Sequence, residues 1–179
     1  LSTGGLTVGN GTLDISTFSD SVGAVTLQNG TLTGSSGVLS GSSYSFREGT
    51  VSAIIGGGAA VVTRVATNTA ADSVVIMTRE NTYTGATTVT SGILKLGAIG
   101  NGSNTPFGTS AGGITIASGA ALDLNGFTLS TAEAITSLNG TGFGASGSSN
   151  MGAVMNSSAS AVSYSGAITM GAAGRINAD

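Results

Sequence analysis

With no histidine and no cysteine in the chain, acid–base chemistry falls first to the carboxylates, and the question is whether any two share a face. A glycosidase-type pair needs carboxyl groups roughly 5–10 Å apart. Asp14 and Asp123 sit in similar settings, Leu13-Asp14-Ile15 and Leu122-Asp123-Leu124. One and two repeats beyond Asp14, however, stand Thr33 and Ser52, so no acidic column forms. Calcium would need several oxygen ligands, and neither an EF-hand loop nor a Gly-Gly-x-Gly-x-Asp array is present. Asp14, Asp20, Asp72 and Asp123 read as solvated or turn-capping side chains. Gly56-Gly57-Gly58 lacks the lysine and following helix of a phosphate cradle. No catalytic, cofactor-binding or metal-binding residue is expected, and the chain reads as a non-enzyme.

Hydroxyls are the more abundant polar group. Thr12, Thr31, Thr50 and Thr69 fall in one column, which suggests a face for an ordered water lattice, as in ice-binding proteins. Such a face must be long and uninterrupted, whereas this spacing holds for only four repeats, and strand propensity accounts for the same threonines. Asn10-Gly-Thr12, Asn29-Gly-Thr31, Asn101-Gly-Ser103, Asn139-Gly-Thr141 and Asn156-Ser-Ser158 match the N-glycosylation pattern. At Asn10 and Asn29 the steric demands of a corner explain the residue equally well.

These residues are carried by a repeat. Leu6–Ile15 aligns with Val25–Gly34 and with Tyr44–Ala53 at an offset of 19 residues each time. Gly11, Gly30 and Gly49 share one column, and Leu13, Leu32 and Val51 another. A fourth step lands on Val65 and Asn68-Thr69, where Asn can take a left-handed corner as Gly does. Val74–Met77 reads as one strand. The stretch Asn81–Gly97 opens with a polar turn to Gly85, alternates through Val89, breaks at Gly92 and resumes with Leu94 and Leu96. Val89, Leu94 and Leu96 would face one way, and Thr88, Thr90 and Lys95 the other. Ile114–Leu124 and Ile168–Ile176 repeat the strand–glycine–strand form. Segment 97–113 reads as a loop thrown out from a corner, and 140–150 as a second loop. Thr131–Ile135 could be one helical turn capped by Thr131, or else strand or loop.

A lone strand pair is marginal in water, so such units must stack on copies of themselves. The expected fold is all-β, a parallel β-helix (β-solenoid) of about nine coils spaced about 4.8 Å apart, forming a single segment over 1–179. A β-sandwich fits short strands too, but needs no fixed phase between them.

Composition narrows the setting. Charged residues make up 7 % of the chain, against roughly a quarter in ordinary globular proteins, so Ser, Thr, Asn and Gly must solvate the surface. That is the habit of extracellular β-rich repeats. A net charge of −3 with five basic residues argues against nucleic acid, which needs a clustered positive face. No apolar run approaches the roughly 18 residues of a membrane helix.

Asn81-Thr-Tyr-Thr-Gly85, the Thr88-Val89 strand and Gly92-Ile-Leu-Lys-Leu96 together resemble the autotransporter-associated β-strand repeat, also called the passenger-associated transport repeat. Asn104-Thr-Pro-Phe-Gly108, Ser118–Gly126 and Tyr164-Ser-Gly-Ala-Ile168 resemble the surroundings of that repeat in long bacterial surface proteins. The resemblance spans most of 50–179 and departs from the pattern over Arg64–Glu80. It implies a right-handed β-helical stalk or passenger on the cell exterior. Strand units near both ends would let Asp179 run into another Leu1 without a break in pattern, which suggests one unit of a longer tandem array or a head-to-tail fibre. An export signal or membrane barrel would lie elsewhere in a parent chain. The expected function is therefore an extracellular stalk, fibre or filament element whose partners are neighbouring copies. The alternative is an adhesin that binds surface glycans or other cells through the 97–113 or 140–150 loops, with a polysaccharide-active β-helix enzyme a third reading behind it.

Overall fold

Runs of alternating Val, Ile, Leu and Thr, cut by glycine every few residues, favour strands too short to stand alone. The computed structural model describes residues 4–58, 62–64 (backbone only), 74–143 and 152–177; these are all-β, with no helix among them. The strands are β1 (Leu6–Val8), β2 (Gly11–Asp14), β3 (Asp20–Leu27), β4 (Gly30–Phe46), β5 (Gly49–Gly56), β6 (Val62–Arg64), β7 (Val74–Met77), β8 (Thr87–Val89), β9 (Gly92–Leu96), β10 (Asn104–Thr105), β11 (Gly108–Thr109), β12 (Ile114–Ile116), β13 (Ala120–Asp123), β14 (Ile135–Gly140), β15 (Val154–Met155), β16 (Ile168–Gly174) and β17 (Ile176–Asn177). A 15-stranded sheet takes all but β10 and β11, which form a small antiparallel hairpin. The pairs within the large sheet are parallel.

Beside a short ladder of three rungs, residues 20–22, 38–41 and 54–56, two long ladders run through this sheet. One runs β1, β3, the second half of β4, β6, β8, β12, β14, β16; the other runs β2, the first half of β4, β5, β7, β9, β13, β15, β17. The chain visits them alternately. Parallel neighbours cannot be joined by a tight hairpin, and the excursion through the other ladder supplies the return path. The register follows the sequence repeat at first: Leu6 pairs with Val25 and Val25 with Tyr44, while Gly11, Gly30 and Gly49 pair in series, as do Leu13, Leu32 and Val51.

The next rung departs from expectation. Val65 and Asn68-Thr69 lie outside the described residues, and the partners of Gly49, Thr50 and Val51 are Val75, Ile76 and Met77. A longer connection precedes this rung, because β5 continues to Gly56 against Val38–Ser40 before the chain returns through β6. The Thr12–Thr31–Thr50 column therefore ends at Ile76. In the first ladder a longer series of Thr and Ser residues pairs in backbone register, Thr7, Thr26, Ser45, Thr63, Thr88, Thr115 and Ser137.

Alternate residues point into one continuous apolar core. Val25, Leu27, Leu32, Phe46, Val51, Val75, Met77, Val89, Leu94, Leu96, Ile114, Ile116, Leu122, Ile135 and Leu138 all belong to it. Each such side chain contributes roughly 1.5–3 kcal/mol by leaving water. A second, smaller cluster of Ile93, Ala121, Phe143 and Met155 packs apart from it, against Val74.

One expectation changes and two are narrowed. Segment 97–113 is not thrown outward: Thr105–Gly108 is buried and Phe107 joins the core. Main-chain bonds Asn81 N–H to Thr105 O (2.9 Å) and Thr109 N–H to Tyr83 O (3.0 Å) draw the hairpin in. Its exposed parts are Ile99, Asn101–Ser103 and Ser110-Ala111. Of segment 140–150, residues 144–150 lie outside the described set, but Phe143 is buried in the small cluster. Thr131–Ile135 forms no helical turn. Ile114 N–H bonds Ala134 O and Ile135 N–H bonds Ala167 O, both at 2.8 Å, so ladder pairing outweighs a weak local preference.

Candidate functional site

Of the described aspartates singled out from sequence, Asp14 and Asp123 serve turns and Asp20 opens β3. Asp14 Oδ1 accepts from Ser16 N–H at 2.7 Å and Asp20 Oδ1 from Ser21 N–H at 2.8 Å, both on the exposed surface. Asp72 lies outside the described residues. Thr33 and Ser52 do follow Asp14 in register. Asp123 Oδ1 accepts from Asn125 N–H at 2.9 Å, the same two-residue reach as at Asp14. In both turns the residue reached, Ser16 or Asn125, has φ near 50°, a left-handed conformation that a short side-chain bond helps to hold.

Asp123 differs in being buried, at 1 % exposure. Its Oδ1 also accepts from Ser157 N–H (2.9 Å), and its Oδ2 from the Ser157 hydroxyl (2.6 Å). Lys95, its register partner on β9, places Nζ 3.3 Å from Oδ2 and 3.0 Å from Ser157 Oγ. A lysine, a serine and an aspartate in mutual contact are the parts of a nucleophilic site. Here the carboxylate accepts both the serine's hydrogen and its backbone N–H while the lysine donates to the hydroxyl oxygen, so the hydroxyl is engaged on both sides and that N–H is not free for an oxyanion. The cluster instead fastens the chain after β15 to β13. Asn125 and Asn156 extend the fastening, through Asn125 Nδ2 to Leu96 O (2.8 Å) and Gly126 N–H to Asn156 Oδ1 (2.8 Å).

Asp123→Ala leaves two backbone N–H groups without their acceptor and Lys95 without its counter-ion. We expect a loss of about 3 kcal/mol in urea unfolding. Lys95→Ala removes only the partly exposed member and should cost less than about 1 kcal/mol. Equal costs for the two would contradict this division.

A second constellation was not foreseen as such. Asn81, 1 % exposed, accepts from Ile55 N–H (2.8 Å) and donates to Arg79 O (3.2 Å) and Pro106 O (2.7 Å). The Tyr83 hydroxyl lies 2.7 Å from Thr87 Oγ1, which donates to Phe107 O at 3.2 Å. The threonine hydrogen being spent there, Tyr83 is the donor to Thr87. Asn81, Tyr83 and Thr87 thus bind the β10–β11 hairpin from within. Glu133, also 1 % exposed, places Oε1 2.5 Å from Thr105 Oγ1, while its Oε2 is buried with no partner among the described residues. Burial raises its carboxyl above the ordinary range, partly offset by the Thr105 contact. Burial likewise raises the Tyr83 and Tyr164 phenols, with the Glu133 charge adding to each. The one sequence signal for this arrangement was the apolar pair Pro106-Phe107 in a run otherwise of Gly, Ser, Asn and Thr.

Of the glycosylation-pattern asparagines, Asn10, Asn29 and Asn101 are exposed. Asn139 and Asn156 commit their amides to Ile116 O and to Ser158 O and Ser160 O. Among the described residues no group of three or more His, Cys, Asp or Glu is placed to hold a metal ion, and no helix is long and apolar enough to cross a membrane. No protein-family model, curated protein or solved structure matches the chain.

Proposed function

We propose that the chain is a structural β-solenoid segment, a length of stalk or fibre whose work is mechanical. The observation that carries this reading is the pair of long parallel ladders visited in alternation. Successive visits make one turn of a coil, and the eight rungs described in each ladder correspond to eight turns, close to the nine or so that periodicity suggested. At about 4.8 Å per rung the rod is roughly 35 Å long. Main-chain bonds then run along the axis and bear load in common, while the apolar columns exclude water from them. The resemblance of Asn81–Gly97 to the autotransporter-associated repeat supports a right-handed coil on a bacterial cell exterior.

Axial stacking on further rungs of the same kind belongs to this proposal. Columns buried along the rod emerge on β16 and β17, where Met170 is 49 % and Ile176 53 % exposed. Beside them a cleft of about 300 Å³ is lined by Leu124, Val154, Val162, Tyr164, Ile168 and Ile176. Parallel edges of this kind accept another strand, from a longer chain or from a neighbouring copy joined head to tail. The expected result is rods in negative-stain micrographs that lengthen with concentration, with an axial reflection at about 4.8 Å. Absence of that reflection from aligned specimens would remove the solenoid. A concentration-independent monomer in sedimentation velocity would remove only the head-to-tail contact.

A further inference from the structure

We infer that Glu133 is a proton-operated latch: protonated, it holds the β10–β11 hairpin in the core through Thr105, and deprotonated, it lets that hairpin go.

The geometry favours the acid form. Among the described residues Glu133 has one side-chain partner, Thr105 Oγ1, and its second oxygen faces no donor although it is shut off from solvent. A carboxylate in that position would leave a charged oxygen unsatisfied, which is far more costly than an unsatisfied neutral carbonyl. Thr105 Oγ1 also lies 3.3 Å from Gly108 O and accepts from Phe107 N–H at 3.0 Å. With Glu133 protonated, its hydrogen goes to Thr105, and the threonine's own hydrogen is free for Gly108 O. Every hydroxyl hydrogen then has an acceptor. With Glu133 ionised, Thr105 must turn its hydrogen to the carboxylate and forgo Gly108, so the hairpin loses a bond and gains a buried charge.

Among the described residues, the elements packed around the carboxyl supply no compensating cation. The segment before β8 presents the Tyr83 phenol and the stretch before β16 the Tyr164 phenol, whose hydroxyl donates to the Glu133 main-chain oxygen at 2.8 Å. The hairpin presents Thr105, and Gly166 lies so close to the Glu133 carbonyl that a Cβ there would overlap it. Among the described residues neither ion pair involves Glu133. The sign follows from the raised carboxyl: the folded chain keeps a proton that the unfolded chain releases near the ordinary glutamate range. Stability from this group is complete below that range and is lost as pH rises through the folded-state value.

The test is amide hydrogen exchange at Phe107 and Thr109, comparing the intact wild-type chain with Glu133→Gln at the same pH. At pH 4 the two should match. At pH 8 the wild type should be several-fold less protected at these amides, and its melting temperature should fall below that of the variant. Thr105→Val, which removes the hydroxyl, should leave Phe107 poorly protected at both pH values. Identical pH dependence in wild type and Glu133→Gln, or better protection of the wild type at pH 8, would overturn the latch. Should the glutamine variant not fold, carbon-13 NMR of the Glu133 carboxyl in the wild type decides directly. Titration above the ordinary range supports the latch, and titration within or below it refutes it.

Discussion

Gly49→Ala is expected to remove about 3–5 kcal/mol of folding stability, enough to unfold a marginal domain, whereas Gly11→Ala in the same column should change it by less than about 1 kcal/mol. Sequence presents the two glycines as equivalent members of one series. The backbone separates them. Gly49 has φ of 119°, a region that costs a side-chain-bearing residue about 1–3 kcal/mol. A Cβ there would also land on the carbonyl oxygen of Gly30, the rung below, with the Gly30 nitrogen at 2.9 Å. Backbone cannot swing aside as a flexible side chain can, so the rungs would have to part. At Gly30 the φ is ordinary, yet a Cβ would meet the carbonyls of Gly9 and Gly11, and Gly30→Ala should fall between the other two. At Gly11 nothing lies within 4 Å of the added atom. Chemical denaturation of the three variants gives the order directly. Equal effects at Gly11 and Gly49 would mean that these residues are not vertical neighbours.

This column shows how far sequence could be read. The first three rungs were legible because nothing is inserted between them, so a constant offset survives and each apolar position falls over its predecessor. Val89, Leu94 and Leu96 were legible for a related reason: alternation within one unit fixes its faces without reference to neighbours. The rung at Val75 was not, because a change in the length of a connection shifts the register without altering the character of the strands on either side. Glycine misled about cause. Its recurrence suggested left-handed corners, and Gly49 is one, but Gly30 is held by the closeness of main chains that no single-sequence pattern reveals. Glu133 was hidden more completely. An acid between Ala132 and Ala134 looks solvated or helical, and only the folded chain brings Thr105 and Tyr164 to it. Asp123 reads in sequence as solvated or turn-capping; it caps a turn but is buried, and that burial depends on Ser157 and Lys95, which come from two other rungs.

Tyr83→Ala should be the most damaging side-chain truncation, at about 3–5 kcal/mol. The ring is fully buried, lies 6.4 Å from that of Tyr44, and fills the space over Gly108, where even a Cβ would approach its ring carbons at 2.7 Å. Its loss opens a cavity beneath the hairpin, and the polar chain from Tyr83 through Thr87 to the Phe107 carbonyl loses its first member. Tyr83→Phe keeps the ring and leaves the Thr87 bond to Phe107 in place, so it should cost only about 1 kcal/mol. Asn81 provides the complementary test. Asn81→Ala leaves the Ile55 N–H and the Pro106 carbonyl unpaired in the interior, for a loss of about 3 kcal/mol. Asn81→Asp keeps the acceptor but sets a second oxygen against the Pro106 carbonyl, and should be at least as harmful. A motif residue serving only as an exposed turn former would tolerate aspartate well. Equal stability of wild type and Asn81→Asp in urea unfolding at pH 7 would therefore show that the amide does not bind the hairpin to β5, and that the buried Asn81, Tyr83 and Thr87 do not act as one fastening.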